Sequence, residues 1–521
     1  MGEILNHISE VARRFPDKAA LICVPDGTVL TYAALEGHAN QAAHAFKALG
    51  LSHGDCVSIC LPNGPAFVAA ILGAQRSGLY FTLISPKASV SDIEFIAMDS
   101  ASKVLLIERD CAEPMLHQAH GYPFRLMSSA PPACADGEWE TLLTAQSSLL
   151  PNDPAPGMEM IYSSGTTGKP KGVRKSFICK AWGDADPRNL EAARTIGVTT
   201  DSVYLSTSPL YHSAPHRYLS AFLNAGATVV LMERFEAELC LQSIDRYGCT
   251  HGVFVPTMFH RLLKLDESAR RAFSGLTLTH AVHGAAPCPE HVKRAMIHWW
   301  GPVLVEYYSG TEGIGRTLIN SAEWLAHPGS VGLPRGCKIH ILDEQGGDVP
   351  IGQIGTIYFE SEITFDYWKD PEKTRSVTST RGWRTFGDIG HVDGEGYLYL
   401  TDRKSFMVIT SGVNVYPQEI ENTLLAHPDV LDAAVFGVQD DDLGEKLVGV
   451  VQLMPGAATT DVTAAELQAF CRAAGGGIKT PRHIVFCTDF PRQDNGKVQK
   501  KQLRERYLDT MPSVLMPLAA P

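Results

Sequence analysis

The sequence contains no apolar run of the roughly 18 residues that a membrane-spanning helix needs, so no integral membrane segment is expected. It also lacks any C-x-x-C pair. Its twelve cysteines are scattered through 521 residues, and the closest two, Cys56 and Cys60, sit in the strand-like DCVSICLP at a spacing suited to core packing. A metal site or disulfide framework built on cysteine is therefore not expected. Basic charge is not in excess either, since the formal net charge is -12. That argues against a nucleic-acid surface, and any phosphate must be bound locally. The N-terminal MGEILNHISEVARRFPDK has no apolar core of a signal peptide, and Asn6 stands where a myristoylation pattern wants Ser or Thr. A cytoplasmic protein, monomer or homodimer, is the expectation.

What is present reads as a multi-domain globular chain. Hydrophobic residues make up 45% and charged residues 20%, and the length exceeds what one core of roughly 150 residues accounts for. From about residue 18 to 260, short β-branched runs such as VSICLP and ATVVLM alternate with helical stretches such as PAFVAAILGAQRSG, the pattern of parallel βαβ units. Near residue 330 the texture changes to Gly-punctuated strands, GSVGLP, CKIHILDEQGG and GQIGTIYFESE, which read as a small antiparallel sheet or barrel. After residue 405 helices at PQEIENTLLAH and TAAELQAFCRAA alternate with strands at DAAVFGV and KLVGVVQLM. The fold class is thus α/β: a large N-terminal domain over 1–401, of doubly wound α/β subdomains plus a small β-barrel-like subdomain, and a small α+β C-terminal domain over 402–510. A tail at 511–521 follows.

One stretch carries chemistry. YSSGTTGKPKG, residues 162 to 172, follows the apolar MEMIY with hydroxyls, glycines and lysines. Glycines let a backbone approach a ligand and expose N–H groups, hydroxyls add donors and lysine adds charge, which together make a phosphate cradle. It is not the P-loop G-x-x-x-x-G-K-[ST], because Gly165 and Gly168 are too close and Pro170 follows Lys169. Composition alone would permit a plain surface loop.

The stretch resembles, nearly residue for residue, the Y-T-S-G-T-T-G-x-P-K-G signature of the adenylate-forming superfamily of acyl-CoA synthetases, luciferases and peptide-synthetase adenylation domains. Ser163 replaces the family threonine. The resemblance runs from FPDKAAL and LTYAAL to NGKVQK and so spans nearly the whole chain. It implies that Ser164, Gly165, Thr166, Thr167, Gly168 and Lys171 wrap the ATP phosphates. In EYYSGTEG it implies Thr311 on a phosphate, Glu312 on Mg²⁺ and Tyr308 on adenine, with Ser309 where the family has glycine. In WRTFGDIG it gives Asp388 to the ribose hydroxyls, a task suited to two acceptor oxygens, although Phe386 replaces the usual threonine. Arg403 in TDRKSF matches a second ribose contact, and Asp402 matches the hinge. HGAAP places Gly284, Ala285 and Ala286 beside adenine and the acyl group, and His212 matches a gate to the acyl pocket. Gly412, in TSGVNVYP, falls in the segment that completes a pantetheine tunnel.

Lys497 in PRQDNGKVQK matches the family's catalytic lysine. Two anions meet when a carboxylate attacks an α-phosphate, and a cation reaching both stabilises the transition state.

The implied enzyme uses ATP, Mg²⁺ and coenzyme A to make an acyl-adenylate and then a thioester. Its substrate is a small-molecule carboxylate. STSPLYHSAPH, residues 206 to 216, contains no acid to hold an amino-acid ammonium, and Ser213, Ala214 and Pro215 leave room for bulk. The expectation is a medium- or long-chain fatty acid or a cyclic, steroid side-chain acid, with aromatic and cinnamic acids as the alternative. A ligase loading a carrier protein, a luciferase-like oxygenase and a non-catalytic acyl-nucleotide-binding protein are the remaining readings.

Overall fold

The computed structural model of the protein describes residues 3–115, 121–128, 137–163, 170–176, 181–183, 187–440, 442–454, 457, 462–492 and 498–510. Of the expected site residues, Ser164, Gly165, Thr166, Thr167, Gly168 and Lys497 lie outside them.

The short apolar runs form parallel strands because both of their faces are covered. Every residue of Cys56–Cys60 is buried, and Tyr80–Leu83 and Ser102–Ile107 pair with it in parallel, as continuous apolar strands require. They form the centre of a seven-stranded sheet. A thirteen-stranded sheet lies beside it in sequence, with six parallel strands in the spatial order Ala19–Val24, Thr228–Met232, Val203–Ser206, His251–Phe254, His280–His283 and Leu304–Ser309. Beyond Leu304–Ser309 the pairing turns antiparallel through Arg316–Asn320 and Ser330–Arg335. Ser330–Arg335 then pairs with Leu398–Arg403. The Gly-punctuated strands are thereby hydrogen-bonded onto the parallel sheet as an antiparallel extension, with Lys338–Leu342 at its edge.

The segment after residue 405 forms its own sheet of five strands, from Val408–Thr410 to His483–Phe486. Helices Pro417–Leu425 and Ala464–Gly475 cover it through a core that includes Ile420, Leu424, Val435 and Leu467. No described helix is long and apolar enough to cross a membrane.

In the first subdomain, helix Tyr32–Ala48 starts on the Thr31 side chain, which accepts from Ala34 N–H. It packs closely on helix Pro65–Arg76, which has proline in its first turn. The contact depends on Gly73, where a Cβ would stand 2.5 Å from the Ala42 Cβ and 3.1 Å from the Ala42 carbonyl carbon. Buried Arg76 ends the second helix and binds the Glu36 carboxylate at 3.0 Å.

The loops that follow Val203–Ser206, His280–His283 and Leu304–Ser309 leave the sheet at the carboxyl ends of parallel strands, where open α/β sheets bind ligands. These loops carry His212, Gly284 to Ala286, and Thr311 with Glu312.

Gly73→Val forces the helix pair apart against backbone and should cost about 2 kcal/mol. The expected result is a lower urea midpoint with an unchanged slope, measured on the full chain.

Candidate active site

Asp388 is placed by strand register. Asp388 and Arg403 sit directly opposite each other in the antiparallel pair Asp388–Val392 and Leu398–Arg403, so their side chains share a face. Arg403 Nε stands 3.2 Å from Asp388 Oδ1, and Tyr308 Oη donates to Asp388 Oδ2 at 2.5 Å. Burial and then the Asp388 charge push the Tyr308 phenol far above its usual range, which keeps it a donor. Glu312 reaches the same cluster from the loop after Leu304–Ser309, where Tyr367 Oη donates to Glu312 Oε1 at 2.7 Å.

The two departures from the expected motifs have structural consequences. Ser309 Oγ donates to the Gly315 carbonyl at 2.7 Å and ties the two ends of the loop together, a bond that glycine could not make. Phe386 packs edge-on to Tyr308 with centroids 5.8 Å apart. Its ring also lies over Gly310, where a Cβ would come within 2.5 Å.

The loop itself is held from below. Lys175 Nζ and Arg217 Nη2 both donate to the Thr311 carbonyl, at 3.0 and 2.8 Å. Arg217 Nε also donates to Glu159 Oε1 at 2.8 Å, Lys175 Nζ lies 3.4 Å from the same oxygen, and His216 Nε2 lies 3.4 Å from Oε2. Burial raises the Glu159 carboxyl, but Arg217, Lys175 and His216 outweigh it and hold the group well below the usual carboxylate range. Gly313, at φ +67°, completes the turn, and a Cβ there would meet Lys175 Nζ at 3.2 Å.

The other expected residues occupy flanking positions. Lys171 Nζ lies 3.1 Å from Asp370 Oδ2, and Asp370 also caps helix Pro371–Ser376 through Lys373 N–H. Gly284 is buried, and the Tyr307 ring stands 2.7 Å from where its Cβ would be. Ala285 adopts φ +70°, a left-handed conformation that stores about 1 kcal/mol of strain in a non-glycine residue, and Ala286 follows it. His212 is the N-terminal cap of helix Ser213–Ala225, with its ring 4.8 Å from that of Tyr211. Gly412, at φ +75°, lies on an exposed hairpin between Val408–Thr410 and Val413–Val415. The described contacts do not join Gly412 to the Asp388 cluster. Asp402 Oδ2 accepts from Gln418 N–H at 3.0 Å, at the start of the first helix of the C-terminal unit.

A family model for AMP-binding enzymes matches residues 8–367, and one for the AMP-binding enzyme C-terminal domain matches residues 419–497. The chain belongs to the AMP-binding enzymes. As a member of this adenylate-forming acyl-CoA synthetase superfamily, it is an AMP-forming acid–CoA ligase. It is 32% identical to a sulfoacetate–CoA ligase of Cupriavidus necator, over 94% of this chain and 95% of that one. It is 30% identical to an indoleacetate–CoA ligase of Aromatoleum aromaticum, over 95% of each. ATP-bound MatB from Rhodopseudomonas palustris has the same fold, with a TM-score of 0.84 and 26% identity over 97% of this chain and 99% of that one.

In this AMP-binding enzyme the four residues beneath Thr311 were not legible as site residues. The available signals were an acid inside the apolar MEMIY strand, R-K after PKGV, and H-R inside a helix otherwise built to be covered. Removing Glu159 leaves a buried lysine and a half-buried arginine without their counter-charge. Glu159→Gln should therefore cost about 3 kcal/mol, measured by urea unfolding. Because the folded pKa is depressed, the wild-type contribution is complete above the unfolded value of about 4.3 and is lost as pH falls through the folded one. The gap between the two proteins should stay constant from roughly pH 6 to 8 and narrow in acid.

Proposed function

We propose that the enzyme joins a compact carboxylic acid to coenzyme A in two half-reactions on one site. The carboxylate attacks the α-phosphate of ATP to give an acyl-adenylate and pyrophosphate; the thiol of coenzyme A then displaces AMP. The observation that carries this reading is the convergence of Asp388, Arg403, Tyr308 and Glu312 at the end of the parallel strands.

Asp388 accepts from Tyr308 and Arg403, and its remaining lone pairs are available to the two ribose hydroxyls. Arg403 fixes that carboxylate and adds a ribose contact. Tyr308 supports adenine, Thr311 contacts the α-phosphate from the gripped loop, and Lys171 with the loop 164–168 takes the outer phosphates. Glu312 brings one carboxylate, and no group of three or more His, Cys, Asp or Glu converges among the described residues. That donor set fits a Mg²⁺ carried in on ATP phosphates, which would neutralise charge on the transferring group. His212 and the segment Gly284 to Ala286 border the acyl group.

Lys497 supplies the cation for adenylation and leaves when the C-terminal unit turns about Asp402, bringing Gly412 to the thiol path. A compact acyl group fits better than the long or steroid acid expected from Ser213, Ala214 and Pro215. Tyr218 and Tyr307, with ring centroids 6.0 Å apart, stand in the space between helix Ser213–Ala225 and the sheet.

The test separates the half-reactions. Lys497→Ala should abolish pyrophosphate release while leaving thioester formation from supplied acyl-adenylate within a few-fold of wild type. Equal loss of both steps would overturn the assignment.

A further inference from the structure

The space behind Gly284 is enclosed by tyrosines. Tyr204 stacks on Phe222 of helix Ser213–Ala225 with centroids 4.3 Å apart. Tyr218 extends from the same helix, and the Tyr307 ring lies against Gly284. Burial raises all three phenols, Tyr218 to about 12 and the other two further, so each remains a protonated donor. Tyr218 and Tyr204 also raise Tyr307 while Arg217 opposes them, which puts these four groups in one neighbourhood.

Tyr204 Oη is fully buried against the Ser206 hydroxyl, which opposes the effect of burial on its phenol. Ser208 Oγ, beyond the end of strand Val203–Ser206, is also buried and has no partner among the described residues. No described residue bonds to the hydroxyl of Tyr218 or Tyr307. Tyr218 and Tyr307 are half-buried, so theirs are the hydroxyls that a ligand can reach.

Arg217 adds charge to this neighbourhood. Its Nε and Nη2 are spent on Glu159 and Thr311, whereas Nη1 has no acceptor among the described residues. Its side chain keeps 23% of its surface exposed, against 2% for Lys175 and 8% for Glu159, so Arg217 is the cation of the buried group that faces open space. The group holds two permanent cations against one carboxylate. An alkyl chain placed here would cover the Tyr218 and Tyr307 hydroxyls and Arg217 Nη1 without offering them an acceptor.

We propose that the acyl pocket is built for a short carboxylic acid whose far end carries an anionic acceptor, a carboxylate or sulfonate, held by the hydroxyls of Tyr218 and Tyr307 and by Arg217. The inference rests on the acid–CoA ligase reading and names the substrate class for it. A site that hydrogen-bonds a distal group strongly disfavours the analogue lacking it.

The experiment measures kcat/KM for pyrophosphate release, with thioester mass as confirmation, on the full chain with ATP and coenzyme A. The probes are malonate, succinate and sulfoacetate against butyrate, octanoate and indoleacetate. At least one distal-anion acid should exceed butyrate by about 100-fold. Tyr307→Phe and Tyr218→Phe, which keep the rings, should each reduce the ratio of that acid to butyrate by about 10-fold, mainly through KM. The ratio cancels any general loss of activity, and the thermal midpoint of each variant reports folding.

Octanoate or indoleacetate turned over as well as the best distal-anion acid would overturn the inference and leave the reaction standing. An unchanged ratio in both Phe variants would overturn it as well. No pyrophosphate from any acid would overturn the reaction reading and the inference with it.

Discussion

A buried lysine and a half-buried arginine, both donating to the carbonyl of Thr311, form the constraint around which the site is organised. The backbone after Leu304–Ser309 must reverse from a parallel to an antiparallel strand within a few residues, and it must present Thr311 and Glu312 while doing so. Neighbouring backbone contributes only part of the hold, such as Gly313 N–H on the Gly310 carbonyl at 3.1 Å. Lys175 and Arg217 fix the loop from below, Ser309 ties its ends, and Phe386 packs over Gly310. Two such cations are tolerable in the interior only with a counter-charge, and Glu159 supplies it. The strand that delivers Glu159 runs directly into the loop 164–168, so the electrostatic support of Thr311 and the entry to that loop share one element.

The same arrangement explains how acidity and anion handling coexist in this chain. A net charge of -12 repels polyanions at long range. Within the site, positive charge is concentrated on side chains brought from distant segments: Lys171 and Lys175 near one strand, Arg217 on a helix and Arg403 on a strand of the extension. Each has an acid beside it, respectively Asp370, Glu159, Glu159 again and Asp388. Lys175 and Arg217 share one acid, so positive charge is in excess at that point.

How much of this was legible in the sequence follows from distance along the chain. Parallel βαβ texture, the change near residue 330 and the last α+β segment depend on local periodicity, and the sheets follow them. Asp388, Arg403, Thr311 and Glu312 lie in contiguous motifs, so their convergence could be expected. The continuous pairing of Ser330–Arg335 with Leu398–Arg403 could not, because it joins strands separated by more than two intervening strands. Glu159, Lys175, His216 and Arg217 come from three elements, and each alone reads as an ordinary charged residue.

The C-terminal unit balances its charges differently within itself and toward the large unit. Its own charges are paired internally: Lys500 with Glu421 at 2.6 Å, and Arg492 with Asp432. Glu421 also accepts from Val435 N–H at 2.7 Å, so helix Pro417–Leu425 is fixed to its sheet. Toward the large unit the balance is different. Arg492 faces Arg261, and burial together with that like charge lowers it to about 10. At Asp402, Oδ2 accepts from Gln418 N–H and Oδ1 from Arg403 N–H, and burial raises this carboxyl despite the Lys500 charge.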